Sequence, residues 1–134
     1  MKKEKKKLLI MIPAYNEEKN IGELLEQLKC PEIAAVADVL VMDDASKDNT
    51  RRIVLNKQLE VVTHVFNLGY GSGLQVGYKY AVRNDYDYVI QFDGDGQHIA
   101  KEALKLINKM EEKKCNIVIG SRYLEKGNYK APFF

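Results

Sequence analysis

A chain of 134 residues, 46% hydrophobic and 30% charged, has the size and balance of one globular domain. That composition excludes a disordered chain, and no apolar run approaches the roughly 18 to 20 residues of a membrane-spanning helix. The net charge of +2 hides an asymmetry: residues 1–7 hold five Lys and one Glu, the remainder 16 basic and 18 acidic residues, and a nearly neutral body argues against a nucleic-acid binder.

The basic start runs into Pro13, Asn16 and Glu17 too soon for a secretory signal. Residues 1–7 are expected to be a basic, flexible, solubilising tail, with peripheral contact to an anionic membrane as the other reading. A single domain is expected over 8–134. Cys30 and Cys115 have no CxxC partner and read as reduced thiols of a cytoplasmic protein.

Residues 8–12 (Leu-Leu-Ile-Met-Ile) predict a buried strand, ended by Pro13. Residues 17–29 predict a helix with Ile21, Leu24, Leu25 and Leu28 on one stripe, capped by Asn16. A second strand is predicted at 38–42, followed by a helix that Ser46 or Asp48 caps and that runs to about Lys57. A third strand covers 60–66. The turn Gly69-Tyr-Gly-Ser-Gly73 then opens a helix to about Arg83 with Leu74, Tyr78, Ala81 and Val82 inward. Residues 86–92 form a fourth strand. Ile99, Ala103, Leu106, Ile107 and Met110 mark a fourth helix, and 116–119 a fifth strand. Strands alternating with helices imply βαβ units, hence an α/β fold: a mostly parallel, Rossmann-like sheet with helices on both faces. Ligands of such sheets bind beyond the carboxyl ends of the strands, where strand order reverses.

The turns at those ends are rich in polar residues. After the first strand stands Pro13-Ala-Tyr-Asn-Glu17, where a Tyr can pack on a planar ligand group or serve a proline turn and helix cap. After the second, Asp43 and Asp44 are adjacent carboxylates that need compensation by amides, a cation or a ligand N–H. The glycines of 69–73 suit either phosphate approach or a tight turn. They match neither GxGxxG, because Leu74 holds the third glycine position, nor a P-loop. After the fourth strand, Asp93-Gly-Asp-Gly-Gln-His98 offers hard oxygen ligands to one divalent ion, without EF-hand spacing. His98 alone suits a cap or a surface position. After the fifth strand, Arg122 can aim a bidentate fork at phosphate, or be a surface charge. Together these residues are the equipment for holding a nucleotide and its diphosphate through a metal.

The motifs Ile-Pro-Ala-Tyr-Asn-Glu at 12–17, Met-Asp-Asp-Ala-Ser-Lys-Asp-Asn-Thr at 42–50, Asn-Leu-Gly-Tyr-Gly-Ser-Gly at 67–73, Asp-Gly-Asp-Gly-Gln-His at 93–98 and Gly-Ser-Arg-Tyr at 120–123 resemble, in order, those of family 2 glycosyltransferases of the GT-A fold. The resemblance is strongest to the branch that transfers sugars to dolichyl or other polyprenyl phosphates. It implies an inverting, metal-dependent transfer of a hexose from a GDP- or UDP-linked sugar to a polyprenyl phosphate, at the inner face of the membrane. Pro13 and Tyr15 would line the base pocket, and Glu17 would sit near the nucleotide. Asp44, with Asp43, would accept a base N–H. Asp93 and Asp95 form the DxD-type element, with Asp93, Asp95 and Gln97 as the set for Mg²⁺ or Mn²⁺, and Asp95 and Arg122 act at the diphosphate. Two departures stand out: Tyr70 occupies a position where many relatives have Lys, and the family's acceptor half would lie beyond Phe134.

Two other readings follow from the same residues. One is a module that binds nucleotide and metal without turnover; another is transfer to a saccharide acceptor. A phospho-receiver domain also pairs Asp residues at a strand end, but it predicts a lone Asp on the middle strand and a late Lys, where this chain has DxD and Arg122. An exposed sheet edge would pair chains into a homodimer.

Overall fold

A computed structural model describes residues 8–93 and 99–118. Four parallel strands, β1 (Leu8–Ala14), β2 (Ala37–Asp43), β3 (Glu60–Thr63) and β4 (Tyr88–Gln91), form one sheet in the order β3-β2-β1-β4. Between and after them lie α1 (Ile21–Leu28), α2 (Pro31–Ala34), α3 (Thr50–Asn56), α4 (Tyr70–Arg83) and α5 (Ile99–Lys113). The α/β class and the parallel sheet expected from the sequence are both present.

The central strands β1 and β2 are apolar at nearly every position because both of their faces are covered. Ile10, Ile12, Val39 and Val41 point to one side and pack with Ile21, Leu24, Leu25 and Leu28 of α1, Val54 of α3 and Ala103 and Ile107 of α5. Leu9, Met11, Leu40 and Met42 point to the other side, against Ala81 and its neighbours on α4. This split follows from handedness. The path β1-β2-β3 moves one way with its helices on one face, and β3-α4-β4 steps back across β1, so a right-handed crossover places α4 on the opposite face. Strand order therefore reverses between β1 and β4.

Several details depart from expectation. Helix α1 begins at Ile21, and Asn16 has φ +53°, a left-handed conformation that no N-cap residue adopts. The short α2, with Pro31 in its first turn, has no apolar period long enough to be read from sequence. Strand β3 stops at Thr63 because the His64 amide makes the last ladder bond, to Asp43 O at 2.9 Å, after which the chain turns away to Asp44. On α4 the inward residues are Gly73, Gly77 and Ala81, whereas Tyr78 is exposed and Val82 is 76% exposed. The helix lies too close to the sheet for larger side chains: a Cβ on Gly77 would stand 2.8 Å from Met11 Sδ. Residues 116–118 follow α5 outside any strand, so the expected fifth strand is absent over them, and Ile119 lies outside the described residues. The tail 1–7 also lies outside them. Cys30 and Cys115 are free thiols. Among the described residues no helix is long and apolar enough to cross a membrane.

Candidate functional site

An open cleft of about 770 Å³ lies beyond the carboxyl ends of β1 and β4, at the point where strand order reverses. Pro13, Tyr15 and Glu17 from the loop after β1, Asp44 from β2's end, Asn67, Gly69 and Tyr70 at the start of α4, and Asp93 after β4 line it. Five residues singled out from the sequence, Pro13, Tyr15, Glu17, Asp44 and Asp93, thus meet in one place. Asp95, Gln97, His98 and Arg122 lie outside the described residues. A smaller cleft of about 340 Å³, lined by Asp38, Glu60, Tyr80 and Tyr86 among others, sits at the amino ends of the strands, the end away from these motifs.

The two adjacent aspartates have separate surroundings. Asp44 is 7% exposed. Its Oδ1 accepts from the Leu68 amide at 2.8 Å and faces His64 Nδ1 at 2.8 Å; its Oδ2 accepts from the Gly69 amide at 2.7 Å. Burial acts to raise this carboxyl, and the Leu68, His64 and Gly69 hydrogen bonds overcome it, leaving the group below the usual carboxylate range. Asp44 is therefore the anchor of the glycine loop. Gly69 itself has φ +90°, a conformation glycine adopts without strain. Asp43 is 1% exposed; its Oδ1 accepts from the Ser46 amide at 3.2 Å, and its Oδ2 has no hydrogen-bond partner among the described residues.

The loops after β1 and β2 are tied to each other. The Asn16 amide donates to Ser46 Oγ at 2.9 Å, and the Lys47 amide donates to Asn16 Oδ1 at 2.9 Å. The Glu17 amide donates to Thr50 Oγ1 at 2.8 Å, and the Glu18 amide to Asp48 Oδ2 at 3.1 Å. Glu18 Oε2 in turn accepts from the Asn49 amide at 3.0 Å. Ser46, expected as a helix cap, serves this tie instead, while Asp48 Oδ1 accepts from the Thr50 amide at 2.9 Å. Ala45 is held at φ +60°, a left-handed conformation uncommon for a residue with a Cβ, between these ties and Asp44. Tyr15 stands 42% exposed on the cleft wall that the tied loops build.

The opposite wall is held by side chains. Tyr70 Oη donates to Asp93 Oδ1 at 2.7 Å and accepts from Gln91 Nε2 at 2.6 Å; Tyr78 Oη donates to Gln91 Oε1 at 3.2 Å. Burial, followed by the Asp93 carboxylate, raises the Tyr70 hydroxyl, so it remains a donor. Sequence reasoning missed His64, Gln91 and Tyr78. The one available signal was Gln91, a polar residue closing an otherwise apolar strand.

Asp48, like Asp44, is held below the usual range: burial raises it, and the Thr50 hydroxyl, the Thr50 amide and the Glu18 amide lower it further than that. Depressed carboxyls contribute stability that is complete above their unfolded values of about 4 and is lost as pH falls through the folded values. The urea midpoint is expected to stay flat from neutrality to about pH 5 and to fall below about pH 4. Asp48→Asn should flatten that fall; equal slopes in both proteins would remove Asp48 from the account.

The sequence profile described as Glycosyl transferase family 2 matches residues 9–132. An uncharacterized protein of Methanocaldococcus jannaschii is 35% identical over 126 residues, covering 94% of this chain and 51% of that protein. A UDP-N-acetylglucosamine–dolichyl-phosphate N-acetylglucosaminyltransferase of Methanococcus voltae is 30% identical, covering 93% of this chain and 55% of that protein. Among solved structures, S. aureus TarS in complex with UDP-GlcNAc matches with a TM-score of 0.61 and 30% identity, covering 78% of this chain and 32% of that one. The chain spans about half the length of the curated relatives it matches.

Proposed function

The chain belongs to glycosyl transferase family 2, and we propose that it is the donor-binding part of an inverting, metal-dependent hexosyltransferase acting on a polyprenyl phosphate at the inner face of the membrane. The observation that carries this reading is the cleft at the strand-order reversal, where Pro13, Tyr15, Glu17, Asp44 and Asp93 converge. The dolichyl-phosphate specificity in the name of the M. voltae relative supports the acceptor class.

The base stacks against the half-exposed Tyr15 ring and over Pro13. Asp44 Oδ2 carries one hydrogen bond and keeps acceptor capacity for a base N–H, which guanine and uracil both offer. Asp43 is buried and does not line the cleft, so the base N–H falls to Asp44 alone. At the other end of the cleft, Asp93, joined by Asp95 and Gln97, would hold Mg²⁺ or Mn²⁺. The described part of that set fits such an ion: Asp93 presents a carboxylate to the cleft beside the Tyr70 oxygen, and hard oxygen donors suit hard cations. Among the described residues there is no group of three His, Cys, Asp or Glu, so the set is completed only with Asp95 and Gln97. A divalent cation supplies charge neutralisation to the diphosphate leaving group. Arg122 would add a bidentate contact to the phosphates. A phosphate acceptor is already an anion and needs little help from a base.

The test is calorimetry with GDP and UDP, with and without Mn²⁺. Metal-dependent binding is expected, and Asp95→Asn should weaken it at least about tenfold, the scale of lost metal contacts. An unchanged affinity would sink the ligand assignment. A second reading of the same cleft is binding of nucleotide and metal without turnover. A sugar-transfer assay separates the two.

A further inference from the structure

We propose that Tyr70 is a positioning residue for Asp93: held by Gln91 and Tyr78, it fixes the carboxylate in the orientation that receives the cation and diphosphate. The proposal rests on the assignment of Asp93 to the donor site made above.

The hydrogen bonds admit one direction only. An ionised carboxylate has no proton to give, so in the 2.7 Å contact between Tyr70 Oη and Asp93 Oδ1 the phenol is the donor. With its only proton committed, the phenol oxygen must accept in the 2.6 Å contact with Gln91, which sets the Gln91 amide with its nitrogen toward Tyr70. Gln91 Oε1 then faces Tyr78, whose hydroxyl donates to it at 3.2 Å. A flipped amide would confront Tyr70 with a second acceptor and leave it without a donor, so the Tyr70 contact fixes the orientation, and the Tyr78 hydroxyl, able to donate or accept, donates to the oxygen it then meets. The polarity runs from Tyr78 to Asp93 and ends on the carboxylate.

The placement comes from the fold. Tyr70 and Tyr78 are eight residues apart on α4, slightly more than two turns, so both leave the helix on the side of β4. Tyr70 directly follows Gly69, whose amide Asp44 holds at 2.7 Å. One end of this arrangement is thus pinned by Asp44 and the other grips Asp93, so these two aspartates of the cleft are set relative to each other through three consecutive positions of chain and one phenol. Outer groups that orient a metal-binding carboxylate typically affect affinity by about 10- to 100-fold when removed.

The test compares Mn²⁺ binding in the presence of UDP or GDP, by calorimetry and by the EPR signal of free Mn²⁺, for the wild-type chain, Tyr70→Phe, Asp93→Asn and the double variant. Tyr70→Phe keeps the ring and removes the donor. It is expected to weaken binding about tenfold while leaving the melting temperature unchanged. In the Asp93→Asn background the same change should add nothing, because its effect passes through that carboxylate. If Asp93→Asn binds like wild type, the donor-site reading has failed and the proposal falls with it. If Asp93→Asn weakens binding and Tyr70→Phe does not, the positioning role alone is overturned. An undiminished Tyr70→Phe effect in the double variant would also overturn it, since Tyr70 would then touch the ligand directly.

Discussion

Asp44→Ala is expected to cost about 4 kcal/mol of folding stability and to abolish nucleotide binding. The carboxylate is buried and serves the amides of Leu68 and Gly69 and the ring of His64. Removing it strands these groups, and each buried polar group left without a partner costs about 1 to 3 kcal/mol, reduced where the loop relaxes toward water. The total is a large share of the roughly 5 to 15 kcal/mol that holds a domain together. Loss of binding follows from the same change, because the anchored loop forms one side of the cleft and Asp44 is the acceptor proposed above for the base N–H. Urea unfolding reads the first effect and calorimetry the second. A loss below about 1 kcal/mol would show that the loop holds its shape without the anchor.

Gly77→Val is expected to have a comparable effect through packing. A single Cβ at this position would lie 2.8 Å from Met11 Sδ and 3.1 Å from both Met42 Sδ and Met42 Cε. Methionine ends are adaptable, so Gly77→Ala is accommodated by small shifts and costs about 1 kcal/mol. Valine adds two further methyls between α4 and the two central strands, where no space remains. The helix must lift, and the cost is about 3 kcal/mol, or roughly 10 °C in melting temperature for a domain of this size. Lifting α4 also draws Tyr70 away from Asp93, so nucleotide binding with Mn²⁺ should weaken along with stability. A melting temperature within about 2 °C of wild type would contradict the close approach.

Much of this architecture was legible in the residues. A short apolar run such as 39–42, rich in Val, suits a strand covered on both faces, and the stripe Ile21, Leu24, Leu25, Leu28 has one helical reading. Polar residues after such strands collect at the carboxyl edge of the sheet, which is why Pro13, Tyr15, Glu17, Asp44 and Asp93, far apart in sequence, line one cleft. What escaped is tertiary. Asn16 looks like a cap until the loop after β2 claims its side chain through the Lys47 amide. Tyr78 and Val82 look inward until Gly77 brings the helix close enough to push larger residues aside. Residues 116–118 are apolar enough for a strand, but periodicity over so few positions cannot say whether a neighbour is there to pair with. Asp44 was singled out for a ligand, and its bonds to Leu68 and Gly69 were invisible because they join positions 24 and 25 residues apart.

The ties between the loops after β1 and β2 bear on the thermodynamics of recognition. Backbone amides of Asn16, Glu17, Glu18, Lys47 and Asn49 are all committed across the gap between the two segments. Conformational entropy that a free loop would surrender on meeting its ligand, about 1 to 2 kcal/mol for each residue fixed, has been surrendered here during folding. The wall bearing Tyr15 is therefore preorganised, and a ligand that settles against it bears little further entropic cost from ordering these two loops.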